Sequence, residues 1–168
     1  MKTQTKIEKS RIQFAILMVS VLMSASAFAA STGTLKVSGT VAVVNDLVVT
    51  PNGTNNTTLN ITAGESEKNI ASVAETSNNG AGYIIQVSSA NAGKLVHSTD
   101  NTKFTNYTIS YGGSSYAAPN ANPTTVKTVS SLNGLTTQSS AVSTNVTAYP
   151  SAIAGTYSDT ITLSIVAN

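Results

Sequence analysis

Beyond residue 29, apolar positions recur mostly at every second residue. In TLKVSGTVAVV, Thr34 to Val44, residues Leu35, Val37, Gly39, Val41 and Val43 fall on one face, with Lys36, Ser38 and Thr40 on the other. That is the pattern of a half-buried strand. The segment AGTYSDTITLSIVAN repeats it: Tyr157, Ile161, Leu163 and Ile165 share one face, and Ser158, Thr160, Thr162 and Ser164 share the other. Asp159 falls on the apolar side, where it either ends the buried part or is held by backbone donors near the turn at Gly155. Further strands are expected at 47–50, 57–62, 68–75, 82–88, 94–97, 105–111, 126–132 and 143–149, with the last strand running over 158–166. No window from Ala30 onward carries the i, i+3, i+4 spacing of an amphipathic helix over several turns.

Turn-forming residues separate these segments: PNGTNN at 51–56, TSNNGAG at 76–82, SANAG at 89–93 and YGGSSYAAPNANP at 111–123. Each contains Gly, Asn or Pro, which tolerate positive φ or preset a turn. Many short strands at close spacing predict an all-β, two-sheet sandwich or a closed barrel. Residues 112–123 are the expected long surface loop. There is no internal repeat, and residues 30–168 have the size of a single domain.

Composition adds a compartment. Only 10% of the 168 residues are charged, and Ser, Thr and Asn supply most of the polarity. Lys2, Lys6, Lys9 and Arg11 precede the apolar run FAILMVSVLM at 14–23 and the small-residue site Ala27-Phe28-Ala29. Those are the parts of a signal peptide, with an apolar run too short to span a bilayer, and cleavage is expected after Ala29. Once residues 1–29 are removed, five lysines face six carboxylates, so the sequence pI of 8.9 belongs to the precursor. A nearly neutral chain without arginine lacks the electrostatic footprint of phosphate binding, and no nucleic-acid partner is expected. Without cysteine, neither a disulfide nor a thiolate metal site forms, although export permits oxidation.

The chemical inventory is thin. His97 is the single histidine, which excludes a multi-histidine zinc site, and at the end of KLVH it reads as a surface strand residue. Glu65, Glu67 and Glu75 raise the idea of paired carboxylates for glycoside hydrolysis, but Glu65 and Glu67 lie beside Lys68 in GESEKN, and a solvated charged turn accounts for them. The aspartates lack calcium-loop spacing, and no nucleophile elbow, phosphate loop or dinucleotide fingerprint occurs. Tyr83, Tyr107 and Tyr111 lie in expected strands, so core packing is preferred over a sugar-binding platform. Asn-x-Thr triplets at Asn52, Asn56, Asn60, Asn106 and Asn145 matter only in a glycosylating host. The expectation is a protein without catalytic residues, metal or cofactor.

ETSNNGAGYIIQVSSANAGKL in the middle of the chain and AGTYSDTITLSI near its end complete a pattern that resembles bacterial chaperone–usher fimbrial subunits, particularly the spore-coat-protein-U-like branch that includes archaic pili. The specific parts are Gly82-Tyr83 leading a strand into Ser88-Ser89-Ala90-Asn91, and Gly155 to Asp159 leading the C-terminal strand. The resemblance implies an immunoglobulin-like sandwich lacking one strand, filled first by a periplasmic chaperone and then by the N-terminal extension of the next subunit at an outer-membrane usher. It implies that Leu35, Val37, Gly39, Val41 and Val43 are the donor residues, with Gly39 where the groove is shallow and 44–46 as a link into the first strand of the subunit. It also implies that Tyr157, Ile161, Leu163 and Ile165 form the strand that zips to the chaperone or the core. Two features depart from the family pattern: the disulfide that ties early strands together is absent, and no aromatic residue stands at the C-terminus. The expected function is a structural role in a fimbria or cell-surface coat, in adhesion or biofilm. The alternative is a self-complete secreted sandwich that binds glycan or host protein through the 111–123 loop. Alternation alone leaves open whether the 35–43 strand pairs with its own sheet or a neighbour's.

Overall fold

The computed structural model describes residues 31–168, and the expected leader lies outside them. The described residues contain no helix. The chain divides between Thr40 and Val41. Residues 31–40 have no assigned strand, and neither do 41–44.

From Asn45 the chain forms nine strands: β1 (Asn45–Pro51), β2 (Glu65–Ser77), β3 (Tyr83–Ser89), β4 (Lys94–His97), β5 (Phe104–Tyr111), β6 (Thr124–Val129), β7 (Thr136–Val146), β8 (Tyr157–Ser158) and β9 (Ile161–Ala167). They build a six-stranded sheet in the order β1-β2-β7-β5-β4-β8 and a three-stranded sheet in the order β6-β3-β9. All pairings between these strands are antiparallel. The all-β sandwich is therefore the architecture that alternation predicts.

The core lies between the two sheets. Val73, Ile85, Val87, Tyr83, Val142, Tyr107 and Ile109 supply its buried side chains. On β3 the inward residues Tyr83, Ile85, Val87 and Ser89 alternate strictly with half-buried Ile84, Gln86 and Ser88. On β2 the alternation slips: its register against β7 shifts between Glu65 and Lys68 and again between Asn69 and Ala71. Because a bulge adds a residue to one strand, neighbours Ile70 and Ala71 are both buried.

Several strand expectations are corrected. Residues 57–62 form turns instead of a strand. The Thr54 carbonyl accepts from the backbone N–H and hydroxyl of both Thr57 and Thr58, and Asn60 Oδ1 accepts from the Ala63 N–H and the Thr62 hydroxyl. Such local bonds compete with a ladder. Leu59 and Ile61 nonetheless pack on the core from this loop. The strand expected at 143–149 is β7, which begins at Thr136, because its polar inward residues have partners in the interior. Residues 45–46 are no link: Asn45 and Asp46 pair with Ser77 and Thr76 in the β1–β2 ladder.

The expected single strand over 158–166 divides at Asp159–Thr160. Tyr157 and Ser158 pair with β4 in the large sheet, whereas Ile161–Ala167 pairs with β3 in the small one. Tyr157 therefore does not share a strand with Ile161, Leu163 and Ile165. Asp159 fixes this crossover by accepting the N–H groups of Asn91 and Thr160 and the hydroxyls of Ser89 and Tyr107. Its donors thus come from the end of β3, the β3–β4 turn, β5 and the crossover itself, not from the turn at Gly155.

Candidate interaction groove

Strand β9 hydrogen-bonds to β3 along one edge only; among the described residues its other edge has no strand partner. Its inward residues Ile161, Leu163 and Ile165 pack on the core but remain half-buried, while Ile85 and Val87 on neighbouring β3 are almost completely enclosed. The difference follows from what stands beside each strand. β3 is flanked on both sides, whereas β9 comes close to β1, the edge strand of the opposite sheet, over part of its length and leaves an open space beside Ile161 and Leu163.

That space is an apolar cavity of about 300 Å³ lined by Val49, Leu59, Ile70, Val142, Ile161 and Leu163, with Tyr107 and Asp159 also in its wall. A second cavity of about 420 Å³ shares Leu59, Leu95 and Asp159 with it and continues along Gly155 to Ser158. Val49 belongs to this wall and is still 45% exposed. An open apolar groove beside an unpaired strand edge offers both contact area and backbone hydrogen bonds to an extended segment.

The alternating N-terminal residues have the complementary character. Leu35, Val37, Val41 and Val43 are 88, 86, 88 and 65% exposed. Gly39 has open space around its α-carbon, and its backbone does not require glycine. Full burial stabilises such a side chain by about 1.5–3 kcal/mol, so this exposure represents substantial unused apolar surface.

The polar residues have structural placements. Glu75, at the end of the strand expected over 68–75, is fully buried. It occupies the inward face of β2 in phase with Ala71, Val73 and Ser77, a signal the sequence already carried. Its carboxylate accepts from Tyr83 Oη at 2.7 Å, Tyr111 Oη at 2.7 Å, Ser140 Oγ at 2.6 Å and Lys127 Nζ at 2.8 Å. Burial alone raises a carboxyl pKa, but these donors outweigh it and hold Glu75 below its ordinary value. The Tyr83 and Tyr111 phenols are pushed up by burial and by the same carboxylate. Because Glu75, Tyr111 and Ser140 stand on the large sheet and Tyr83 and Lys127 on the small one, the cluster ties the two together. Glu65 and Glu67, by contrast, remain near the surface, with Glu65 paired to Lys68 at 2.8 Å.

His97 is also buried, against the expectation of a surface residue. Its Nε2 lies 3.1 Å from the Ala154 carbonyl, its Nδ1 accepts the Thr99 N–H, and Tyr157 packs edge-on at 5.0 Å. Gly155 makes this possible, since a side chain there would overlap the imidazole. The hydroxyls of Tyr83, Tyr107 and Tyr111 are committed to Glu75 or Asp159. No group of three or more metal-ligating side chains occurs among the described residues, and no helix among them is long and apolar enough to cross a membrane. No protein-family model matches the chain, and no curated protein is detectably similar to it.

Proposed function

We propose that this chain is an exported structural subunit of a fimbria or cell-surface coat, of the chaperone–usher kind, assembling by β-strand complementation and serving adhesion or biofilm formation. In this reading the sandwich is an immunoglobulin-like domain short of one strand. Residues 35–43 of one copy lie along the free edge of β9 in the next and place Leu35, Val37, Val41 and Val43 in the groove, with Gly39 over its shallow part. A periplasmic chaperone occupies the groove first and an outer-membrane usher exchanges it, after residues 1–29 have been cleaved.

One observation carries the reading: an alternating apolar segment exposed to solvent occurs in the same chain as an apolar groove beside an unpaired strand edge. Nine residues of extended chain reach about 30 Å, enough to run the length of seven-residue β9.

The test is electrophoresis in SDS of material sheared from producing cells, comparing unheated with boiled samples. Wild-type chain is expected to give an unheated ladder that collapses to one band on boiling. Removal of residues 31–44 is expected to abolish the ladder, and Gly39→Leu to weaken it several-fold by overfilling the groove. Because nothing lies within 4 Å of the position a Gly39 side chain would take, the folding of the subunit itself should be unaffected. A single monomer band in both wild-type lanes would favour a self-complete binding module instead.

A further inference from the structure

The point where the N-terminal segment leaves the sandwich is fixed by one side chain. Asn78, directly after β2, donates its backbone N–H to the Val44 carbonyl at 3.2 Å and accepts the Val44 N–H on Oδ1 at 2.7 Å. Its Nδ2 donates to the Ala42 carbonyl at 2.8 Å. The β1–β2 register, Asn45 opposite Ser77, thereby continues one step further, with Val44 opposite Asn78. Ser77 Oγ strengthens the same corner by donating to Asn45 Oδ1 at 2.7 Å.

For a chain to fill its own groove, residues 35–43 would have to turn back beside β1. The reversal would have to fall within Val41-Ala42-Val43-Val44, three of whose members are β-branched and resist turn conformations. Asn45 and Asp46 suit a turn, but both are held in the ladder. A reversal at Gly39 would leave only Leu35 and Val37 to enter the groove. Each route also breaks bonds made by Asn78 or leaves the groove mostly empty.

We propose that Asn78 is a positioning residue that denies the N-terminal segment its own groove and commits it to a second copy of this chain. The proposal rests on the strand-complementation reading and adds what decides between self and neighbour. Asn78→Ala removes two side-chain hydrogen bonds, and at several-fold for each the ratio of self-filled to neighbour-filled chains is expected to rise by about tenfold or more.

The experiment uses the chain from Ala30 onward, refolded at high dilution and digested with a lysine-specific protease, in parallel with the SDS ladder. Lys36 lies within the segment and reports its state. In wild-type monomer Lys36 is expected to be cut rapidly. In Asn78→Ala it is expected to be protected, with a correspondingly weaker ladder. Rapid cutting together with an undiminished ladder in Asn78→Ala would overturn the proposal. Should that variant fail to fold, Asn78→Asp retains the acceptor for Val44 but loses the donor to Ala42, and the same two outcomes decide. Failure of the underlying reading looks different: the wild-type ladder would survive deletion of residues 31–44, and the role of Asn78 would fall with it.

Discussion

Lys127→Met is expected to destabilise the sandwich by about 3 kcal/mol, near the low end for breaking a buried ion pair because the ammonium is partly exposed while Glu75 is not. The carboxylate would keep its three hydroxyl donors but lose its counter-charge, and with it the tie between β6 and the large sheet. Urea midpoints of wild type, Lys127→Met, Glu75→Leu and the double variant measure this. The double variant is expected to be more stable than the sum of the single losses implies, since neither charge is then left alone.

The same cluster sets an acid limit. Glu75 is held below its ordinary value of 4.5 when folded and regains that value when unfolded. A carboxyl lowered by folding contributes stability that is fully present above the unfolded value and is lost as the pH falls through the folded one. Stability is therefore expected to decline from about pH 5 downward, and Glu75→Gln is expected to flatten that decline while lowering stability at neutral pH. An unchanged acid slope in Glu75→Gln would show that other carboxyls carry it.

Gly82→Ala is expected to cost about 3 kcal/mol or more, combining a left-handed residue with a collision. At φ +85° the new methyl would run into the Val129 carbonyl of β6. That glycine opens β3, and its own carbonyl accepts Asn79 Nδ2 at 2.7 Å and the Asn168 N–H at 3.2 Å. Little relief by movement is available there. Gly39→Ala, with open space and no positive φ, is the control that should leave the urea midpoint unchanged.

How much of this was legible in the sequence depended on whether a residue's role was local. The period-two segments around Ile85 and Leu163 announced strands with one inward face, and Gly82 before Tyr83 marked the start of β3. Residues 57–62 misled because Thr and Ile favour strands in isolation, while the carbonyl of Thr54 and the side chain of Asn60 satisfy that segment locally. The crossover at Asp159 was visible only as an acidic residue in the wrong phase; the hydroxyls that hold it come from β5 and from the end of β3. Glu75 was in phase with the buried face of β2, but Lys127, more than fifty residues later, was needed to make burial acceptable. Asn78 sat in a stretch whose Asn and Gly content signals a turn, and turn propensity says nothing about a backbone ladder being extended by a side-chain amide.

The position of β3 between β6 and β9 also sets an order of events during synthesis. The small sheet joins residues 83–89 to residues 161–167, so its central strand has only one neighbour until the chain has emerged to Ala167. Until then Ile85 and Val87 lack part of their cover, and folding dominated by such distant pairings is slow. The small sheet of a nascent chain thus stays incomplete through nearly the whole elongation. That delay makes the final strand the step that closes the small sheet.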